Sequence, residues 1–218
     1  FDELVGTLLL NSDWERNLNE WVQRQSDRLA GNGNPRRSVE ELAAHVLSCK
    51  PLEVYFKEPT SKQYAELDTL MTRAEQGEPI QYIIGHVDFR GVEIHCDPRA
   101  LIPRPETELL VEEVLMHLER CCRRGFQPRF VEPCGSQKQT RLEASSTLSI
   151  VDVCTGTGCV GLALAAELPL AEVVAIDISL DAIALARENA ERLGLMDRFS
   201  VVQGDLLHVD AMSSSRSE

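Results

Sequence analysis

Several common signals are missing from this 218-residue sequence, and each absence narrows its class. No apolar run approaches the length of a membrane span, so no membrane partner is expected. The first residues, Phe1, Asp2 and Glu3, include two acids and lack the pattern of a signal or transit peptide. Seven cysteines occur without a C-x-x-C pair, which predicts reduced, mostly buried thiols and no metal site.

Basic residues are few relative to acidic ones. The sequence has 22 Lys and Arg against 35 Asp and Glu, which gives a net charge of -13 at pH 7. This balance argues against direct nucleic-acid binding and leaves a protein partner open. The composition, 43% hydrophobic and 26% charged, is ordinary for a globular protein that buries a core.

Residues 1–78 are predicted to form a small helical domain. Ser38 with Glu41, and Thr60 with Gln63, have the spacing of capping boxes and predict two helix starts. A Gly-Glu-Pro run ends the second of these helices.

Residues 79–105 are predicted to be a β-hairpin linker. Short β-rich runs at 80–84, 87–89 and 92–96 are separated by glycine. The next helix has acids in its first turn, where they suit the helix dipole. Residues 123–147 are polar and aperiodic, which indicates a surface insertion.

The last part of the chain, 106–218, is predicted to be an α/β domain. Strands and helices alternate there, with strands predicted at 148–153, 172–176 and 199–202 and helices at 160–168 and 180–193. Such alternation implies a parallel sheet with helices on its faces.

The strongest candidate site is the glycine-rich turn between the first of these strands and its helix. It comprises Asp152, Val153, Cys154, Thr155, Gly156, Thr157 and Gly158. Glycines let the backbone approach a ligand, and a helix start offers N–H groups to an anion such as a methionine carboxylate. Asp177 ends the second strand, where a carboxylate can accept hydrogen bonds from both hydroxyls of a ribose. Asp205 ends the third strand, where an adenine would lie.

Two ligand classes fit this turn. Gly156, Gly158 and Gly161 satisfy the dinucleotide fingerprint of an NAD-dependent oxidoreductase. Asp152 favours S-adenosyl-L-methionine instead, because a charge in a buried strand is an unusual choice in a dinucleotide site. A binding module without catalysis is the third interpretation.

Longer runs resemble the HemK family of protein methyltransferases. They are Gly-Glu-Pro-Ile-Gln-Tyr-Ile-Ile-Gly at 77–85, Leu-Ile-Pro-Arg-Pro-Glu-Thr-Glu at 101–108, and the segments 152–158, 175–179 and 186–190. The resemblance covers most of residues 40–207. It implies a class I S-adenosylmethionine methyltransferase (Rossmann-like) sheet, preceded by the helical domain and the hairpin linker.

The same resemblance implies a cofactor, a partner and site residues. The cofactor is S-adenosyl-L-methionine, and the substrate is the glutamine of the Gly-Gly-Gln loop in a class 1 peptide-chain release factor. The helical domain helps to hold that release factor. Cofactor contacts carry over to Cys154, Thr155, Gly156, Thr157, Gly158, Asp177 and Leu206, with Cys154 standing where the family usually has glycine. Arg104, Pro105, Glu106 and Thr107 are candidates on the substrate side.

The family's Asn-Pro-Pro-Tyr signature does not occur in these 218 residues, so no catalytic residue is assigned. In the family, the Asn side chain and a Pro carbonyl accept the hydrogens of the amide and aim its nitrogen. We therefore expect a C-terminally incomplete sheet with an apolar edge strand, and an inactive chain. By resemblance, the cysteines, the insertion and the polar tail are closer to a mitochondrial member than to a bacterial, cytoplasmic one.

Overall fold

The computed structural model describes residues 18–29, 34–123 and 148–205. The chain divides into two compact units, Phe1–Ile84 and Gly85–Glu218. The predicted insertion lies outside the described residues from 124 onwards, and so do Leu206 and the polar tail.

The first unit is helical in its described part. Its elements are α1 (Leu18–Arg28), α2 (Pro35–Leu47), a 3-10 turn (Pro51–Phe56), α3 (Ser61–Glu75) and α4 (Ile80–Ile84). The helices enclose an apolar core of their own, whose largest fully buried members are Val22, Val39, Leu42, Val54, Leu67 and Met71.

Two helix starts test the capping predictions. The box at Thr60 is confirmed, because its N–H donates to Gln63 Oε1 at 2.9 Å and its hydroxyl oxygen accepts from the Gln63 N–H at 3.4 Å. The box at Ser38 is wrong, because α2 already begins at Pro35 and is capped by the side chain of Asn34. Proline suits the first helical position, where the missing N–H would have no intrahelical partner.

Residues 80–84 form helix α4, so the strand predicted there is wrong. Their β-branched composition favoured a strand. Ile80, Ile83 and Ile84, however, have the i, i+3, i+4 spacing of one helical face. That face packs against the core of the first unit, with Ile83 buried.

The second unit begins with the predicted hairpin. Its strands are β1 (His86–Phe89) and β2 (Val92–His95), paired antiparallel. Arg90 and Gly91 make the two-residue turn, both with positive φ, as a type I′ turn requires. The Arg90 guanidinium pairs with both carboxylate oxygens of Glu167, at 2.6 and 3.2 Å.

The remaining elements form a β-α-β-α-β unit preceded by a helix, as predicted. They are α5 (Pro105–Arg123), β3 (Leu148–Val153), α6 (Cys159–Glu167), β4 (Ala171–Asp177), α7 (Leu180–Arg192) and β5 (Phe199–Gln203). The three strands are parallel in the order β3-β4-β5. The strand bounds differ from the predicted ones by at most one residue.

The described helices of this unit pack on one face of the sheet. Ile150, Val173 and Phe199 share a core with residues of α5, α6 and α7. Val151 and Val202 point to the other face and are 49% and 40% exposed. Side chains alternate between the two faces of a strand, so one strand carries both environments.

Three valines of this sheet test the difference between its faces. Threonine has the shape of valine but adds a hydroxyl. Changing Val151→Thr together with Val202→Thr is expected to change the free energy of unfolding by less than about 0.5 kcal/mol. The matched control, Val173→Thr, buries the hydroxyl and is expected to lower the free energy of unfolding by about 1–3 kcal/mol. Urea unfolding of the variants measures both effects, and equal stability losses on both faces would contradict the assignment.

Candidate cofactor-binding site

The parallel register brings the turn after β3 beside the end of β4. Val153 is paired with Ile176, the residue before Asp177. The Thr155 N–H donates to the Ile176 carbonyl at 3.0 Å, and the Gly156 N–H donates to Asp177 Oδ2 at 2.9 Å. The structure thus brings together the turn and the carboxylate that the sequence predicted to share a site. This is the edge of an open α/β sheet where ligands bind.

Asp177 is half-buried and keeps spare acceptor capacity. Its Oδ2 accepts from the Gly156 N–H, and its Oδ1 accepts from the Ser179 N–H at 3.0 Å. An ionised carboxylate offers about four acceptor positions, so each oxygen can take a further hydrogen bond. Two adjacent hydroxyls of a ribose match that capacity. The Gly204 N–H also donates to the Asp177 carbonyl at 3.0 Å. Asp205, the next residue, therefore follows close behind the end of β4, and it is exposed.

Asp152 lies in β3 and hydrogen-bonds to the turn that follows this strand. Its Oδ2 accepts from the Thr155 hydroxyl at 2.6 Å and from the Gly161 N–H at 3.1 Å. Burial raises the pKa of the Asp152 carboxyl, the two hydrogen bonds lower it, and the charge of Asp177 raises it further. The two hydrogen bonds accepted by Asp152 join Thr155 of the turn to Gly161, near the start of α6. Direct contact between Asp152 and a ligand remains a prediction.

The side chains of the turn differ in their burial. Thr155 and Thr157 are buried, at 6% and 2% exposure. Gly158 has a φ of 84° and caps α6. A Cβ there would lie 3.0 Å from a methyl carbon of Leu162 and 3.3 Å from Ala186 Cβ, so conformation and space both require glycine.

Cys154 occupies a backbone conformation that favours glycine. Its φ is 59°, in the left-handed region, and its side chain is exposed. Left-handed conformations are costly for residues with a Cβ. The family resemblance predicted that a glycine usually stands here, and the backbone angle supplies the physical reason.

The space beside the turn is compatible with a cofactor. Within 4 Å of a Cβ placed on Gly156, the described residues beyond its chain neighbours contribute only Ala100 Cβ, at 3.9 Å. The first turn of α6 follows directly, and helix starts attract anions. A ribose at Asp177 and a carboxylate near the start of α6 therefore fit the groups that the protein presents.

The substrate-side candidates lie at the start of α5. Arg104, Pro105 and Glu106 are exposed, and Thr107 is half-buried. The Thr107 N–H donates to the Arg104 carbonyl at 2.9 Å, as in a first helical turn. Their contact with a substrate remains a prediction.

Asn189 is a site residue that the sequence analysis did not single out. It lies on α7 with 0% exposure, and its side chain bonds to the backbone of His95 and of Thr157. A signal was present in the sequence, because Asn189 lies three residues after Ala186 in the predicted helix, and a polar residue buried there needs a hydrogen-bond partner.

An ion-pair network holds the segment that precedes the substrate-side candidates. The Arg99 guanidinium bonds to Asp97 and, with two nitrogens, to Glu188 at 2.8 and 2.6 Å. The short side chain of Asp97 also accepts from the Arg99 N–H at 2.9 Å. Residues 97–100 are thereby fixed onto α7, near Gly156.

The part of the chain that the structure describes has neither a membrane-spanning helix nor a cluster of metal ligands. No helix there is both long and apolar enough to cross a membrane. In the same residues, no group of three or more His, Cys, Asp or Glu side chains is placed to hold a metal ion.

Comparison with known proteins assigns the two units. The family description "PrmC N-terminal domain" matches residues 20–85, and "Methyltransferase domain" matches residues 150–216. The second match contains the glycine-rich turn and Asp177. The second unit thereby has the class I S-adenosylmethionine methyltransferase fold, a class whose cofactor is S-adenosyl-L-methionine.

Curated relatives identify the family more narrowly. The chain is 37% identical to the release factor glutamine methyltransferase of Chlorobaculum tepidum, over 79% of this chain and 53% of that protein. It is 34% identical to the Escherichia coli K12 enzyme, over 85% and 58%, and 34% identical to a human one, over 84% and 48%. The chain belongs to the release factor glutamine methyltransferase family, and it spans about half the length of the curated relatives it matches. This family, not an NAD-dependent oxidoreductase, accounts for the glycine pattern.

Among solved structures, the human methyltransferase 10 domain containing protein aligns with 59% of this chain and 49% of its own. The identity is 22% and the TM-score is 0.40, an overlap too small to add to the assignment.

The buried carboxyl of Asp152 predicts a pH effect on stability. Because its pKa is raised in the folded state, Asp152 stabilises the fold fully below the ordinary value of 3.8, and this contribution is lost as the pH rises through the raised pKa. Asp152→Asn keeps an oxygen acceptor for both hydrogen bonds and removes the charge. The variant is expected to gain stability relative to the wild type as the pH rises above the ordinary value of 3.8. Urea unfolding at a series of pH values measures the difference. A constant difference for Asp152→Asn would contradict the prediction.

The backbone angle at Cys154 predicts opposite effects of two substitutions. Cys154→Gly relieves the left-handed strain and is expected to raise the free energy of unfolding by up to about 1 kcal/mol. Cys154→Val places a β-branched residue there and is expected to lower it by about 1–2 kcal/mol. Urea unfolding of the three proteins orders them, and a valine variant as stable as the glycine variant would rule out strain at this residue.

Proposed function

We propose that the protein is an S-adenosylmethionine-dependent methyltransferase that acts on a release factor. Its substrate is the side-chain amide of the glutamine in the Gly-Gly-Gln loop of a class 1 peptide-chain release factor. Support comes from the relatives, which are release factor glutamine methyltransferases matched over about four-fifths of this chain.

One observation in the structure supports this proposal most directly. Asp177 is held against the glycine-rich turn by the Gly156 N–H, yet both of its oxygens retain acceptor capacity. A carboxylate fixed in this way is ready for the two hydroxyls of a ribose without rearrangement of the turn.

The residues divide the binding task among them. Asp177 takes the ribose hydroxyls, and the start of α6, with the turn 154–158, takes the amino-acid part of the cofactor. Asp152 keeps the turn in place through Thr155 and Gly161. Asp205 is assigned to the adenine end of the cofactor, and the contact that the family resemblance assigns to Leu206 stays a prediction. The bound cofactor supplies a methyl group activated by its positive sulfur.

Recognition of the release factor is assigned to the rest of the chain. In this proposal residues 1–78 are the helical recognition domain, 79–105 the linker and 106–218 the methyltransferase domain. The match of residues 20–85 to the PrmC N-terminal domain supports the first of these roles. Arg104, Pro105, Glu106 and Thr107 face the substrate. The net charge of -13 supports a protein rather than a nucleic acid as the direct partner.

No residue of these 218 is assigned to the amide nitrogen. An amide nitrogen is a poor nucleophile because its lone pair is delocalised into the carbonyl. Its hydrogens need acceptors that aim it at the methyl group. The family's Asn-Pro-Pro-Tyr run would supply them, and the sequence does not contain it.

A mitochondrial location is the finer part of the proposal. It is supported by the resemblance of the cysteine content and of the segment 123–147 to an organellar member, and by similarity to a human relative. Imaging of a fluorescent fusion in cells tests it, and a uniform cytoplasmic signal would overturn it.

Cofactor binding is the first test of the proposed function. The 218-residue chain is titrated calorimetrically with S-adenosylhomocysteine and with NAD. Binding of the first without the second is expected. Asp177→Asn should weaken it by about tenfold or more, since hydrogen bonds to a charged group contribute about 1.5–3 kcal/mol. The control Asp181→Asn is exposed on α7 and should leave the affinity unchanged. Binding of NAD alone would overturn the proposal.

Methyl transfer is the second test. A class 1 release factor and methyl-labelled S-adenosylmethionine are incubated with this chain, and with a version extended through an Asn-Pro-Pro-Tyr strand. Labelling of the Gly-Gly-Gln glutamine by the extended version alone is the expected result. A release factor with that glutamine changed to alanine is the control, and equal labelling of both release factors would show that the glutamine is not the target.

A further inference from the structure

The side chain of Asn189 engages both of its N–H donors and its carbonyl oxygen with the backbone of two other segments. Its Oδ1 accepts from the His95 N–H at 2.9 Å, and its Nδ2 donates to the His95 carbonyl at 3.0 Å. The second hydrogen of Nδ2 is directed at the Thr157 carbonyl, 2.9 Å away. A carboxamide has two donors and an acceptor, so all three groups are engaged.

This position leaves the amide little freedom. Asn189 is 0% exposed, so water cannot replace a lost partner. A buried donor or acceptor without a partner is costly, which makes the three bonds a single geometric constraint. The Asn189 amide and the His95 backbone each donate one hydrogen bond to the other, as two paired residues of an antiparallel ladder do. The end of β2 is thereby joined to α7.

The bond to Thr157 acts on the cofactor turn. Thr157 lies between Gly156, whose N–H reaches Asp177, and Gly158, which caps α6. Because the peptide group is planar, fixing the Thr157 carbonyl also fixes the orientation of the Gly158 N–H. That N–H donates to the Thr155 carbonyl at 2.8 Å, which closes the turn. The direction in which the turn presents its backbone is therefore set from α7.

The bonds to His95 act on the substrate-side segment. His95 precedes residues 97–100, which Arg99 ties to Glu188, the neighbour of Asn189 on α7. Ala100 Cβ of the same segment lies 3.9 Å from the position that a Cβ on Gly156 would occupy. The chain then continues to Arg104. One turn of α7 thus holds both the cofactor turn and the approach to the substrate-side candidates.

We propose that Asn189 is a positioning residue, which holds the turn 154–158 in the geometry that binds the amino-acid part of the cofactor and couples that turn to the end of β2. The inference rests on the proposed function. The inference goes beyond that function by naming a residue that touches neither ligand. It also states that binding of the amino-acid part of the cofactor depends on Asn189.

The test compares two ligands that differ in the amino-acid part. S-adenosylhomocysteine has it, and 5′-methylthioadenosine lacks it while keeping the adenine and the ribose. Asn189→Ala and Asn189→Asp are titrated with both, at a temperature where circular dichroism shows each variant folded. Asn189→Asp keeps the acceptor for the His95 N–H and loses the amide N–H donors. Both variants are expected to bind S-adenosylhomocysteine about tenfold more weakly, the effect of one hydrogen bond lost with its partner left unpaired. Binding of 5′-methylthioadenosine should change by less than about twofold.

A matched control comes from the same helix. Glu191→Gln removes an exposed charge two residues further along α7 and leaves the three bonds of Asn189 intact. Its affinities for both ligands should equal those of the wild type. A merely structural role of Asn189 would lower the melting temperature and leave the ratio of the two dissociation constants unchanged, and that result overturns the proposal.

A second measurement needs no variant. Hydrogen exchange of the His95 amide, which bonds to Asn189 Oδ1, is followed in the wild-type chain with and without S-adenosylhomocysteine. Coupling through Asn189 predicts slower exchange in the presence of the ligand, and unchanged exchange contradicts it. A wild-type chain that binds no S-adenosylhomocysteine overturns the proposed function itself, whereas a binding wild type with an unaltered ratio in the variants overturns only the role of Asn189.

Discussion

Parallel pairing of β3 with β4 is the constraint on which the rest of the site depends. It sets Val153 opposite Ile176, so the chain leaving β3 passes directly beside Asp177. The same pairing requires a crossover, and α6 provides it on the helix-covered face. A shift of the β3–β4 register by one residue would point Asp152 away from the glycine-rich turn. It would also expose the apolar residues of the helix-covered face.

The turn is held by the protein's own groups from three directions. Asp152 bonds to it from the strand below, Asp177 from the neighbouring strand and Asn189 from α7. Two of these groups are acids and one is a neutral amide, and each contacts a different part of the turn. A loop ordered in this way before binding loses little conformational entropy when a ligand arrives. The hydrogen bonds around the turn also explain how the backbone of Cys154 is held at a φ of 59°, in the left-handed region.

The sequence predicted the sheet well and the connections less well. Alternating patterns are local, so the strands and their order in the chain could be read directly, and glycines with Asp177 marked the site. The helix at 80–84 was missed because three isoleucines satisfy both a β preference and a helical face, and only packing decides between them. Asn34 was missed as a cap because Ser38 offered a familiar pattern a few residues later.

The partners of Asn189 could not be predicted for another reason. Its bonds go to backbone atoms of His95 and Thr157, which lie 94 and 32 residues away in the chain. Backbone atoms carry no residue type, so no pattern of letters identifies them. A buried polar residue in an apolar helix face can be recognised from sequence, but its partners require the fold.

The hairpin is fastened at its two ends by interactions of different kinds. At the end of β2, neutral hydrogen bonds to a buried amide hold His95. At the turn, Arg90 holds the charged Glu167 at the last residue of α6, where the helix dipole disfavours an acid. Mobile ions screen the second attachment and not the first. Rising ionic strength therefore loosens the hairpin from its tip, while its base stays fixed beside the cofactor turn.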